Sequence, residues 1–274
     1  MIDVDHRLYA AAQVRELDRR TIEDHGIPGY TLMRRAAAAA WSAARDRWPL
    51  ARSVTVVAGW GNNGGDGYEI ARLARDAGCV VKVLEVRGRA PAGDAATARA
   101  AWLLQGGVEP FDAGMELGPV DLVVDAVFGT GLARPPEGDA RAAINAINRA
   151  HAAGAGVLAV DIPSGLHADS GAVPGAAVVA DLTVTFIGRK LGLYTAQGPA
   201  CAGRIVFDSL GAPAPVHDGL PPLARLLDAH DLQRWLPPRP RTAHKGDNGR
   251  VLLAGGDAGT VGAVLLAGRA ALRA

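Results

Sequence analysis

At 274 residues, with 49% hydrophobic residues but only 5% aromatic, the chain can hold one large α/β domain and part of another, built on small and branched side chains. A formal charge of +1 gives no global field to draw nucleic acid or an anionic membrane, and no apolar run reaches the roughly 18 residues of a membrane-spanning helix. Met1–Arg7 lacks the apolar stretch of a signal peptide, and Cys79 and Cys201 alone make neither a disulfide framework nor a metal site, so a cytoplasmic protein is expected.

Residues 9–25 place Val14, Leu17 and Ile22 at helical spacing among charges, which predicts an amphipathic helix. Gly26, Pro28 and Gly29 break it, and Thr31 is positioned to cap a second, alanine-rich helix running toward Trp48. Trp41 and Trp48, seven residues apart, read as packing residues. Strand and helix then alternate. Strands are predicted at 53–58, 80–84, 121–125 and 156–160, with helices following the first glycine-rich turn and at 92–105 and 137–153. Strands this continuously apolar imply a parallel sheet covered on both faces. Segments 180–186 and 204–207 are further strands that extend the sheet at its edge. After Gly211, prolines at 213, 215, 221, 222, 237, 238 and 240 mark a linker over 213–240. A new strand and turn follow within 244–256, with a helix from near Val261.

Gly59–Gly67, Gly-Trp-Gly-Asn-Asn-Gly-Gly-Asp-Gly, stands between the first long strand and its helix. A helix N-terminus there offers unpaired N–H groups and a positive dipole end to an anion, and glycines let a phosphate approach. Asn62, Asn63 and Asp66 add oxygens for a cation or hydroxyl. Gly59, Gly61 and Gly64 also fit the dinucleotide fingerprint, with Glu85 21 residues beyond Gly64 where a ribose-binding acid is expected. A nicotinamide-dependent dehydrogenase therefore competes with other readings, as does a ligand-free turn.

Two more loops leave strand ends on the same rim. Asp125-Ala-Val-Phe-Gly-Thr-Gly-Leu132 brings an acid, two glycines and, slightly later, Arg134 to pair with phosphate; an acidic cap on a turn reads equally well. Asp161-Ile-Pro-Ser-Gly165 delivers another acid and a hydroxyl. Ile162 occupies the first glycine position of a nucleophile elbow, so Ser164 reads as a cation neighbour rather than a nucleophile. Asp66, Asp125 and Asp161 would converge on one crevice with Asn63 and Ser164, hard oxygen donors suited to an alkali or alkaline-earth ion. Lys190, flanked by glycines and apolar residues, reads either as a charge partner in that crevice or as a solvated lysine. His6, His25, His151 and His167 show no ligand spacing.

Five ordered segments, 61–68 (GNNGGDGY), 124–132 (VDAVFGTGL), 161–166 (DIPSGL), 185–193 (TFIGRKLGL) and 207–211 (FDSLG), resemble the YjeF N-terminal family of NAD(P)H-hydrate epimerases, over about residues 8–212. The resemblance implies a three-layer α/β/α Rossmann-like sandwich with a mostly parallel sheet. It implies substrate contacts at Asn62, Asn63, Gly64, Gly65, Asp66, Gly129, Thr130, Gly131, Leu132, Ala133, Arg134, Pro135 and Asp161. It also implies one potassium ion per epimerase domain, held by Asn63, Asp125 and Ser164. The substrate would be the hydrated nucleotide NADHX or NADPHX, with no nucleic acid or membrane partner. Residues 241–274, with HKGDNGRVLLAGG at 244–256, resemble the start of a ribokinase-like, ADP- or ATP-dependent NAD(P)H-hydrate dehydratase domain that ends before its catalytic part. Asp161 is the expected general acid and base, oriented by Lys190. The alanine-rich helices at the N-terminus suggest a homodimer.

Overall fold

The computed structural model describes residues 6–132, 134–236, 238–244, 246–247, 249–257 and 259–273. Ala133, named above as a substrate contact, lies outside the described residues, as do Met1–Asp5, Pro237, Lys245, Asn248, Ala258 and Ala274. The chain divides into two compact units, Met1–Leu226 and Leu227–Ala274.

The first unit runs β1 (Arg7–Tyr9), α1 (Ala11–Arg19), a π-helical turn at Arg20–Asp24, α2 (Gly29–Arg47), β2 (Ser53–Ala58), α3 (Asn62–Asp76), β3 (Val80–Glu85) and α4 (Gly93–Leu103). It continues with β4 (Glu109–Pro110), β5 (Leu122–Ala126), α5 (Gly138–Ala152), β6 (Gly156–Val160), β7 (Leu182–Phe186) and β8 (Arg189–Lys190). The short α6 (Gly198–Ala202), β9 (Arg204–Asp208) and β10 (Ala224–Arg225) complete it.

Seven strands pair in the order β4-β3-β2-β5-β6-β7-β9, every pair parallel. Alternate strand residues serve opposite faces, as the two-residue period requires. Val54, Val56, Val124, Leu158 and Val184 join one apolar cluster with residues of α2, α3 and α4; Val57, Val123, Val157 and Ala159 join another with Ile144 and Ile147 of α5. Both isoleucines are fully buried, each worth about 1.5–3 kcal/mol relative to exposure. This is the α/β/α sandwich. β2 and β5 are neighbours, and the chain leaves β2 toward α3 on one face and β5 toward α5 on the other; an open parallel sheet opens its ligand crevice at such a switch point.

A second sheet, β10-β1-β8, pairs Tyr9 with Lys190 in parallel and Leu8 with Ala224 antiparallel. These strands of two or three residues carry no period to read, and the sequence reading missed them. The sheet changes the reading of 213–226. That stretch, within the expected linker, forms a 3-10 turn at Ala214–His217 and the strand β10, and His217 Nδ1 lies 3.0 Å from the Tyr9 hydroxyl in the interior. Another expectation needs correction. Thr31 does not cap α2: Pro28 is the N-cap, with ψ 140, and its carbonyl receives the N–H groups of Thr31 and Leu32 at 2.9 and 3.1 Å. The alanines Ala36, Ala37, Ala40 and Ala44 of α2 are turned inward and buried in the chain's own core.

In the second unit, Asp228 caps α7 (Ala229–Trp235) by accepting the Asp231 N–H at 2.9 Å. α8 (Val261–Ala271) begins where expected. The strand expected after Arg250 is not formed: Val251 and Leu252 are exposed, and a strand needs a neighbouring backbone to complete its hydrogen bonds.

Candidate functional site

A cavity of about 470 Å³ opens above the C-terminal ends of β2, β5 and β6. Its walls include Gly61, Asn62, Asn63 and Asp66 from α3 and the turn before it, Val127–Gly131 after β5, Asp161 after β6, and Lys190 from β8. The helix α1 closes the other side with Val14, Arg15 and Asp18. Three separated sequence loops thus meet on one wall.

Asp161 and Lys190 form the charged centre. Asp161 follows β6 with φ 68, a left-handed conformation uncommon outside glycine and most accessible to Asp and Asn, of order 1–3 kcal/mol in cost. Its N–H donates to the Val184 carbonyl at 2.7 Å, which holds the turn. Ile187 is left-handed too, at φ 58, and carries the chain back from β7 so that β8 passes the cavity. The Lys190 ammonium contacts the Asp161 carboxylate directly and donates to Thr185 Oγ1 at 3.0 Å and to the Phe186 carbonyl at 3.3 Å. At 1% exposure Lys190 is no surface lysine, and the crevice alternative is the one observed.

Besides Asp161, the cavity is lined by Asp94, Asp66 and Asp18, and the last two are shifted. Burial pushes the Asp66 carboxyl well above its ordinary range, and the charges of Asp161 and Asp18 push it further, with Lys190 opposing. Asp18 is pushed up to about 7, chiefly by burial, with Lys190 drawing it down and Asp161 raising it. Asp18 escaped the sequence reading, because a lone acid on an amphipathic helix looks solvated. A signal was present: it stands four residues after Val14 and one after Leu17, beside the apolar stripe rather than opposite it.

The proposed cation ligands divide. Asn63 is buried on the cavity wall, and neither atom of its side-chain amide has a hydrogen-bond partner. Asp125 and Ser164 do not line the cavity; both are fully buried beneath it. Ser164 Oγ donates to Asp125 Oδ1 at 2.6 Å, the Ser164 N–H donates to Oδ2 at 2.8 Å, and the Phe128 N–H donates to Ser164 Oγ at 2.8 Å. The pair therefore ties the two loops together. Burial pushes Asp125 up to about 6 against the downward pull of the Ser164 hydrogen bonds. The expected convergence of three acids is thus met by Asp66 and Asp161, with Asp18 in place of Asp125.

The glycines also divide. A Cβ on Gly59 would lie 2.0 Å from the Val127 carbonyl oxygen, and one on Gly64 would lie 2.0 Å from that of Gly59. A Cβ on Gly65 would lie 2.5 Å from Met33 Cε. These three serve close packing, and Gly64 and Gly65 are absent from the wall. Gly61 and Gly131 line the cavity with open space where a Cβ would stand. Thr130 and Gly129 also line it, Gly129 facing Asn63 and Asp161; Leu132, Arg134 and Pro135 do not. Glu85, the expected ribose acid, accepts from Tyr68 Oη at 2.8 Å and from Arg99 Nε at 2.5 Å.

A family model described as "YjeF-related protein N-terminus" matches residues 29–192. The bifunctional NAD(P)H-hydrate repair enzyme Nnr of Escherichia coli (strain K12) is 42% identical over 100% of this chain and 52% of its own length. That of Coxiella burnetii is 43% identical over 97% of this chain and 54% of its own length. The chain thus spans about half the length of these relatives. The NAD(P)H-hydrate epimerase of Limosilactobacillus fermentum is 46% identical over 73% of this chain and 96% of its own length. The crystal structure of yeast ynu0 shares the fold at TM-score 0.62 and 20% identity, covering 73% of this chain and 87% of its own. By the family match across its sheet and by these relatives, the chain belongs to the YjeF-related N-terminal family.

Proposed function

We propose that this chain is an NAD(P)H-hydrate epimerase, interconverting the R and S forms of NADHX and NADPHX at C6 of the nicotinamide ring. One observation carries the reading: an ion-paired carboxylate, Asp161, and a carboxyl raised by burial, Asp66, face one cavity beside the N-terminus of α3. A carboxyl raised by burial and a carboxylate engaged by an ammonium suit acid and base roles on one substrate.

Hydration makes C6 a hemiaminal, with hydroxyl and ring nitrogen on one carbon. Asp66 gives its proton to the hydroxyl; the C6–O bond breaks, water leaves, and the nitrogen lone pair forms the N1–C6 double bond of an iminium. The Asp161 carboxylate, held by Lys190, steadies that positive charge. Water then adds to either face, its oxygen forming the new C6–O bond and its proton returning to the carboxylates. This shifts the donor role expected of Asp161 to Asp66, because the Asp161 carboxylate already accepts from the Lys190 ammonium while burial raises the Asp66 carboxyl. The open positions at Gly61 and Gly131, with the unpaired N–H groups at the start of α3, suit the pyrophosphate.

A potassium ion fits the neutral amide oxygen of Asn63, buried without a partner, beside the locked Asp125–Ser164 pair. When bound, such an ion would supply a fixed positive charge to the bound nucleotide. We further assign residues 241–274 as the opening of an ADP- or ATP-dependent dehydratase domain, in line with the bifunctional relatives. Running the reaction in ¹⁸O-water tests the mechanism: each epimerisation event should place one solvent oxygen at C6, and epimerisation without ¹⁸O uptake would exclude hydroxyl loss.

A further inference from the structure

A second cavity, about 490 Å³, lies beyond Trp60 on the β3 side of the glycine-rich turn. Trp60 lines both cavities. It is fixed there by an edge contact with Phe128, ring centroids 5.6 Å apart, and by Gly88, where a Cβ would lie 2.2 Å from the indole. The second cavity carries three arginines, Arg87, Arg89 and Arg99, and one acid, Glu85. Nothing in the epimerase chemistry above uses them.

In parallel sheets with this turn, the second strand's C-terminal end receives the adenosine ribose. A free acid there takes the 2′-hydroxyl, and an arginine takes a 2′-phosphate. Here the acid is not free. Arg99 and Tyr68 occupy the Glu85 carboxylate. Arg87 is exposed and reaches Asp112, also exposed, at 2.6 Å, a pairing that solvent weakens and a phosphate can replace. Arg89 is exposed and has no ion-pair partner among the described residues.

We propose that this second cavity is a subsite for the 2′-phosphorylated ribose of the adenosine half, with Arg87 and Arg89 as the phosphate ligands. The chain then prefers NADPHX to NADHX. Arg99 acts as a positioning residue that neutralises Glu85 and so removes the repulsion a 2′-phosphate would otherwise meet. The proposal rests on the epimerase reading for its natural ligand, but its test does not.

Calorimetry on the full chain would compare adenosine 2′,5′-bisphosphate with adenosine 5′-monophosphate, for the wild type, Arg87→Ala and Arg89→Ala. Both side chains are exposed, so the variants should fold. The bisphosphate should bind about a hundredfold more tightly than the monophosphate, and each substitution should erase about tenfold of that advantage. Equal binding of the two nucleotides, or an advantage that survives both substitutions, would overturn the subsite. In parallel, kcat/KM for NADPHX should fall in Arg89→Ala while that for NADHX holds; equal losses for both substrates would also count against it. Absence of epimerisation with either hydrate would defeat the functional reading, and calorimetry would still decide the subsite.

Discussion

Replacing Lys190 with Met separates the structural from the chemical part of the site. Lys190 is 1% exposed, and its ammonium holds Asp161, Thr185 and the Phe186 carbonyl together. Methionine fills much of the same volume but strands the Asp161 carboxylate, whose side chain is only 18% exposed. Removing one member of a buried ion pair costs about 3–5 kcal/mol, and the partial exposure of Asp161 places this case near the lower end. For a unit of this size each kcal/mol moves the melting midpoint by roughly 2–4 °C, so a fall of roughly 6–12 °C is expected. The double variant Asp161→Asn, Lys190→Met leaves no stranded charge and should regain most of that loss. Its epimerisation rate should nevertheless stay at least about a hundredfold down, because positioned acid–base and charge groups contribute on that scale. Calorimetric melting and chiral-resolving chromatography read the two quantities. A Lys190→Met enzyme with wild-type melting and wild-type rate would refute the reasoning.

Asp18→Asn tests the pH behaviour. A carboxyl raised to about 7 in the folded chain, from an ordinary value of 3.8, binds its proton more tightly when folded. Its contribution to stability is full below about pH 4 and lost as pH rises through 7. Urea titrations should show Asp18→Asn flattening that decline, and an unchanged slope would remove Asp18 from the buried cluster. Gly64→Ala should destabilise the fold severely, since the new Cβ meets backbone at 2.0 Å, whereas Gly61→Ala should leave melting unchanged and weaken nucleotide binding. Equal melting of the two variants would contradict the division between packing and ligand glycines. Ser164→Ala should cost about 1–3 kcal/mol, as Asp125 and the Phe128 N–H lose a buried partner, and should weaken potassium activation. A potassium response identical to wild type would dissociate Ser164 from the cation.

The central sheet was legible because its strands are buried on both faces, and an apolar run such as Ser53–Ala58 has no other stable home. The three rim loops followed from the same logic, since parallel strands deliver their C-terminal ends to one edge. The small sheet β10-β1-β8 was not legible: its pairing depends on contacts from sequence-distant segments that leave no local period. That sheet brings Lys190 to Asp161, so an ambiguity over one lysine was an ambiguity over tertiary structure. Asp125 read as a crevice acid because strand position fixes which end of the sheet a residue occupies, not whether its side chain turns up to the cavity or inward to Ser164. Gly64 and Gly65 were expected among the substrate contacts; glycine allows close approach of any group, and here Gly59 and Met33 stand where their Cβ atoms would be.

The most direct test is the rate at which purified R-NADPHX converts to the S form, followed by chiral-resolving chromatography for the wild type and for Asp161→Asn. Rapid equilibration by the wild type, slowed at least about a hundredfold in Asp161→Asn with nucleotide affinity retained, is the predicted result. Equilibration no faster than the uncatalysed reaction in the folded wild type, or an Asp161→Asn rate equal to it, would contradict the account.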